Sequence, residues 1–260
     1  MAVILRRRRR RDDPTSTMTV VEHLDELRRR LLISLAAVAL GSVAGWFLYT
    51  PVFNLLSEPF CDFIRDVPRL AIDPEHPCRL VYLSVTEPFL MKIKLVMFIG
   101  FALALPVVLY QLWRFVTPGL TSRERRFAFP FVLASVALFA LGAWLAVMTL
   151  PKALSFLLGF AGTTRLTAVV SIAKYISFLI FLILAFGVAF ELPVLLMSLT
   201  AVGVLSSARL REWRRYSYLL VAVASAVITP SQDWFTMTAI MVPLILFYEL
   251  SILLSRVLKR

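Results

Sequence analysis

Six stretches of the chain are almost free of charge: Leu31 to Tyr49, Leu95 to Trp113, Phe127 to Leu150, Tyr175 to Phe190 continuing past Glu191, Tyr216 to Gln232, and Trp234 to Tyr248 continuing past Glu249. A hydrocarbon core about 30 Å thick needs about 20 apolar residues in a crossing helix, and most of these runs come close to that length. The pattern predicts an all-α polytopic membrane protein with six transmembrane helices, at about 28–50, 90–116, 123–150, 170–200, 213–229 and 233–255. Residues 1–18 read as a basic tail and 19–260 as one domain. The fifth helix is short, because only Tyr216 to Thr229 precede Pro230, about 21 Å at 1.5 Å per residue. The helix five and six hairpin is therefore expected to be short, with local thinning of the bilayer or snorkelling of polar groups around it.

The segments between the runs carry the orientation signal. One alternate set, the N-terminus, the second-to-third and fourth-to-fifth connections and the C-terminus, holds twenty Lys and Arg; the other set holds eight. The positive-inside rule then places both termini on the cytoplasmic side. A net charge of +12 is accounted for by this asymmetry and does not call for nucleic acid. The run Arg6 to Arg11 reads as a solvated tail touching anionic lipid. Thr19-Val20-Val21-Glu22 has capping-box spacing, and Leu24, Leu27 and Leu31 recur at helical intervals behind it.

On the outer side, Pro51 to about Pro88 is too long for a simple turn and is expected to form a structured cap that includes Pro59 and Phe60. Cys61 and Cys78 both fall there, on the oxidising side, so a disulfide and two free thiols are both open readings. A bridge across so short a loop would contribute about 3 kcal/mol in the chain-entropy model. The apolar stretch Ala153 to Ala161 is too short to span and is expected to lie as an interfacial helix.

No nucleotide, zinc-protease or serine-hydrolase motif is present, and His23 and His76 fall on opposite predicted sides of the membrane. The sequence therefore calls for no enzyme, catalytic residue, metal or cofactor, and transport would have to draw on a gradient or on partners. Carboxylates remain. The predicted inner face holds only Asp12, Asp13, Glu22, Asp25, Glu26, Glu124 and Glu212 among its acids. Glu26 and Glu124 are candidates for a cationic ligand arriving from inside, although Glu26 also stands four residues before Arg30 and Glu124 three after Thr121, spacings that suit a structural pair and a capped helix start. Glu191 lies inside an apolar run, where an ionisable group usually faces the bundle interior. Pro193 should bend that helix, since it cannot donate to the carbonyl of Ala189. Glu249, near the end of the sixth run, is expected to snorkel to the interface.

Several of these segments resemble one family. Glu22-His23-Leu24-Asp25-Glu26-Leu27-Arg28-Arg29-Arg30-Leu31 is similar to the start of TatC, the multispanning subunit of the twin-arginine protein translocase. So are Pro106-Val107-Val108-Leu109-Tyr110-Gln111-Leu112-Trp113-Arg114-Phe115, Glu124-Arg125-Arg126, Ala185-Phe186-Gly187-Val188-Ala189-Phe190-Glu191-Leu192-Pro193, and Thr229-Pro230 with Asp233. They run in family order from about residue 19 onward.

The resemblance implies a concave six-helix bundle, both ends inside, in the bacterial-type inner membrane. It implies a receptor for consecutive-arginine signal peptides that exports folded proteins on the proton gradient. Glu26 and Glu124, with Arg28 and Phe115 beside them, would take the signal. TatA and TatB type single-span proteins would dock on the last two helices, and copies of the chain would assemble together. Physically, a guanidinium fork matches a carboxylate by two bonds, which a lysine cannot reproduce. The family often has Gln four residues after the Asp of the last outer turn; here Met237 follows Asp233, so a polar partner contact is missing at that position. The competing class is a secondary transporter of a small solute centred on Glu191, and a third is a scaffold without ligand. The transporter would want an internal repeat, and the two halves show none.

Overall fold

The computed structural model describes residues 20–66, 81–116, 128–159, 170–201, 205–229 and 234–258. Glu124, Asp233, Cys78, the arginine tail and the Thr19 cap lie outside them. The described residues form α1 (Val20–Asp66), α2 (Glu87–Val116), α3 (Ala128–Gly159), α4 (Ile172–Phe190), α5 (Leu192–Ala201), α6 (Ser207–Glu212), α7 (Arg214–Ile228) and α8 (Trp234–Leu258). Five helical stretches are long and apolar enough to cross a membrane, with α4 and α5 counting as one. The sixth is α7, with 15 residues. It is short as expected, but α8 has 25 residues, so the shortness is confined to one member of the hairpin.

Two helices overrun the ends read from the sequence. α1 continues through Pro51 and Pro59 to Asp66 instead of ending near residue 50. Leu56, Phe60, Phe63 and Ile64 recur at helical spacing and are all buried, so packing outweighs the cost of proline in a helix interior, about 3 kcal/mol. Pro59 and Phe60, expected in a cap, thus belong to the helix, and the Phe60 ring lies 4.8 Å from that of Tyr175. Likewise α3 runs through Pro151 to Gly159. Ala153 and Leu154, placed by the sequence on a separate interfacial helix, are buried as its continuation.

α4 is the central element: Tyr175, Ile176, Leu179, Leu182, Phe186 and Phe190 are all buried along it. Tyr175 Oη donates to the Leu56 carbonyl at 3.0 Å, tying α4 to the overrun of α1. A parallel bridge of Val81 with Ser171 and a bond from Ser171 Oγ to Glu87 close the same end. α1 and α2 approach at their glycines: a Cβ on Gly41 would lie 2.5 Å from the Gly100 carbonyl oxygen, and one on Gly100 would lie 2.5 Å from Ser42 N. Only glycine lets two backbones come that close. α3 and α4 do the same at Gly142 and Gly187, the latter under the ring of Phe139.

Candidate functional site

The glycine crossing fixes where the opposite ends of α1 and α2 stand. There, Glu22, Asp25, Glu26, Arg29, Arg30 and Ile33 of α1 face Gln111 and Arg114 of α2 across a cavity of about 380 Å³. Glu26 and Arg30, one helical turn apart, form an ion pair through Arg30 Nη2 and Glu26 Oε1. Arg30 is only 8% exposed, unusual for arginine. The pair is incompletely satisfied: Glu26 Oε2, Arg30 Nε and Arg30 Nη1 are buried without a hydrogen-bond partner among the described residues. Phe115 closes the neighbourhood by stacking on His23, ring centroids 4.5 Å apart. The site can therefore offer a carboxylate oxygen to a cationic group and guanidinium protons to an acceptor, within a wall of three carboxylates and three guanidiniums.

Glu26 lines the cavity, whereas Phe115 stands beside it, stacked on His23 one helical turn before Glu26. Arg28 belongs elsewhere, in a neighbouring groove with Asp25, Arg29, Leu32, Ile33 and Ala36. Glu191 stands at the break between α4 and α5, where its backbone N–H turns to the Val188 carbonyl at 3.1 Å. Its carboxylate bonds the buried Ser135 side chain of α3, while Oε1 has no partner among the described residues. Met237 is half-buried in the first turn of α8. Cys61 is disulfide-bonded.

The scan of protein families matches residues 22–243 to the model of the Sec-independent protein translocase protein, TatC. The chain belongs to the TatC family. The TatC of Aquifex aeolicus is 40% identical over 245 residues, covering 94% of this chain and 97% of that one. The TatC of Frankia casuarinae is also 40% identical, over 92% of this chain but only 66% of its own length. Among solved structures, a crystal structure of the twin arginine translocase receptor TatC superimposes with a TM-score of 0.71 at 41% identity, covering 90% of this chain and 99% of that one. The TatC family is one of protein transport, as the resemblance of the motifs implied.

Seen as a TatC chain, the sequence left three features unread. Gln111, inside an apolar run, and Arg114, directly after it, join the cavity; a polar residue one turn before Phe115 was the available signal. Arg30 was treated as a helical partner of Glu26, and its burial depends on α2. Glu249 does not simply snorkel: it pairs with Arg214 and accepts from Tyr218 Oη, both on α7. Beside it Tyr248 Oη donates to the Leu210 carbonyl at 2.7 Å. Nothing in the local spacing connects residues 35 apart.

Proposed function

We propose that this chain is the core subunit of a twin-arginine translocase, and that the cavity between α1 and α2 takes the arginines of a signal peptide at the cytoplasmic face. The carrying observation is the half-satisfied carboxylate of Glu26: a buried oxygen without a partner among the described residues, on a cavity wall, in a chain folded like the twin arginine translocase receptor. An arginine of the peptide supplies the missing donors, and the Phe115–His23 stack flanks it with an aromatic surface. Glu124, lying after α2, offers the second carboxylate for the second arginine. Arg29, Arg30 and Arg114 offset the three carboxylates of the cavity, so a cation that lacks the matching geometry gains little there from charge alone.

With both termini in the cytoplasm, the chain resides in the bacterial-type inner membrane. It works with TatA and TatB type partners, assembles with further copies of itself, and exports folded proteins on the proton gradient. The exposed apolar face of α7, with Leu219, Leu220, Val223 and Val227, suits a single-span partner helix. Met237 offers such a helix an apolar contact where the family often has Gln.

The test is crosslinking of a twin-arginine signal peptide to membranes containing the protein, with photoreactive probes at positions next to Glu26, Phe115 and Glu124 and a twin-lysine control. Arginine-dependent crosslinks are expected, together with loss of cargo export in Glu26→Ala and Glu124→Ala at unchanged membrane levels of the protein. Normal export in both variants overturns the assignment. A small-solute transporter would instead lose function on replacement of Glu191 alone.

A further inference from the structure

We propose that Arg30 is an internal competitor at this site: a resident guanidinium that occupies Glu26 until an arginine of the peptide displaces it, and so sets how strongly a signal must bind. The inference rests on the reading of the cavity as the signal site and adds a role for a residue of this chain within it. Three observations carry it. Arg30 is more than nine-tenths buried and lines the cavity. It holds Glu26 through one nitrogen only, although a guanidinium and a carboxylate can make two parallel bonds. The polar atoms left over are complementary to a peptide arginine: Glu26 Oε2 lacks a donor, and Arg30 Nε and Nη1 lack an acceptor among the described residues.

Such a pair converts binding into exchange. A peptide guanidinium replacing Arg30 on Glu26 leaves the number of charges and the donor geometry at the carboxylate unchanged, and it can complete the second bond that Arg30 does not make. A peptide ammonium replacing Arg30 offers a point charge with no fork, so the exchange runs uphill. Displacing Arg30 weighs equally on every peptide, so it raises the threshold for all of them, while the arginine preference comes from the fork geometry at Glu26. The released Arg30 stays among carboxylates, since Glu22 and Asp25 line the same cavity. Its free nitrogens also gain access to carbonyl oxygens of the peptide backbone.

The experiment measures binding of fluorescent twin-arginine and twin-lysine signal peptides to the purified full-length protein in lipid nanodiscs, for wild type, Arg30→Gln, Arg30→Lys and Glu26→Gln. In Arg30→Gln the resident competitor is gone, so both peptides bind about ten-fold more tightly, roughly the worth of one charge-assisted hydrogen bond, and the arginine-to-lysine preference stays as in the wild type. Arg30→Lys keeps the charge and holds Glu26 more weakly, so its affinities for both peptides lie between; it also serves as the readout should Arg30→Gln fail to fold. Unchanged or weaker binding of both peptides in a folded Arg30 variant shows that Arg30 merely props Glu26 and overturns the proposal. A wild type that does not prefer arginine, or a Glu26→Gln that binds as wild type, is a different failure: it removes the signal site itself and this inference with it.

Discussion

The glycine crossing of α1 and α2 offers the sharpest test of how the site is held. In Gly100→Ala the new methyl would stand 2.5 Å from Ser42 N and 2.7 Å from Ser42 Cα. Ordinary carbon contacts are about 3.5 Å or more, so the two helices must part by about 1 Å. Rotating the Ser42 hydroxyl, which donates to the Val38 carbonyl at 2.8 Å, does not help, because the obstruction is backbone. Overpacking of this kind costs about 1–3 kcal/mol. A Gly to Ala change inside a helix returns about 1 kcal/mol of propensity, so the net loss is about 2 kcal/mol, taking the upper end for a rigid obstacle. For a chain of this size that corresponds to a melting temperature lower by about 4–8 °C.

The same displacement reaches the cavity. Glu26 and Phe115 each lie about four helical turns from the crossing, on the same side of it, so the two cavity walls are arms of one lever. Thermal unfolding of the detergent-purified protein, followed by fluorescence size exclusion, should show the drop in Gly100→Ala. Gly159→Ala, with nothing within 4 Å of its new methyl, should show none. Binding of the signal peptide should weaken in the first and not in the second. Equal melting temperatures for the two variants would refute the claim that this contact sets the α1–α2 spacing.

Other substitutions test other contacts. Glu249→Ala and Arg214→Ala should each lower stability by about 1 kcal/mol, the pair being half-exposed, and the double variant should lose less than the sum; strict additivity in thermal melts would show that the ion pair carries no coupling. Tyr175→Phe should cost about 1 kcal/mol through the lost bond to the Leu56 carbonyl, read as a melting drop of about 2–4 °C, and an unchanged melt would mean the hydroxyl contributes nothing there. With Cys61 disulfide-bonded and Cys78 the one other cysteine of the chain, we expect the two to form the bridge: maleimide labelling of the denatured protein should add no mass without reductant and two labels after reduction. Labelling without reductant would refute it.

The membrane-crossing plan was legible because apolar length alone decides it: charges interrupt the chain at the connections and almost nowhere else. Helix ends were less legible. Pro51 and Pro151 read locally as stops, yet residues beyond each recur on a buried face, and burial of that face is a tertiary fact. The Glu191 and Pro193 break was readable, since the missing N–H is a property of the residue itself. In the candidate site, the Glu26 and Arg30 pairing follows from a spacing of four residues on one helix. The burial of Arg30 and the arrival of Gln111 and Arg114 depend on how α2 crosses α1, which no local pattern encodes. The Glu249, Arg214 and Tyr218 cluster is invisible for the same reason: it joins two helices across a hairpin.

That cluster also bears on the short helix. α7 spans about 22 Å, roughly 8 Å less than a typical hydrocarbon core. A free helix of this length would settle near the bilayer centre and share the mismatch between its two ends. α7 is not free to do so: Arg214 is its first residue and Tyr218 lies one turn on, and both are held by Glu249 of the full-length α8. Its Arg214 end is thereby fixed at the depth of Glu249. The whole deficit falls on the opposite end, around Thr229, where the bilayer must thin or polar groups must reach down. The exposed Leu219, Leu220, Val223 and Val227 lead along α7 toward that Thr229 end. One salt bridge thus sets the height of one helix: α7 is anchored at its Arg214 end, and its adjustment to the bilayer is concentrated around Thr229.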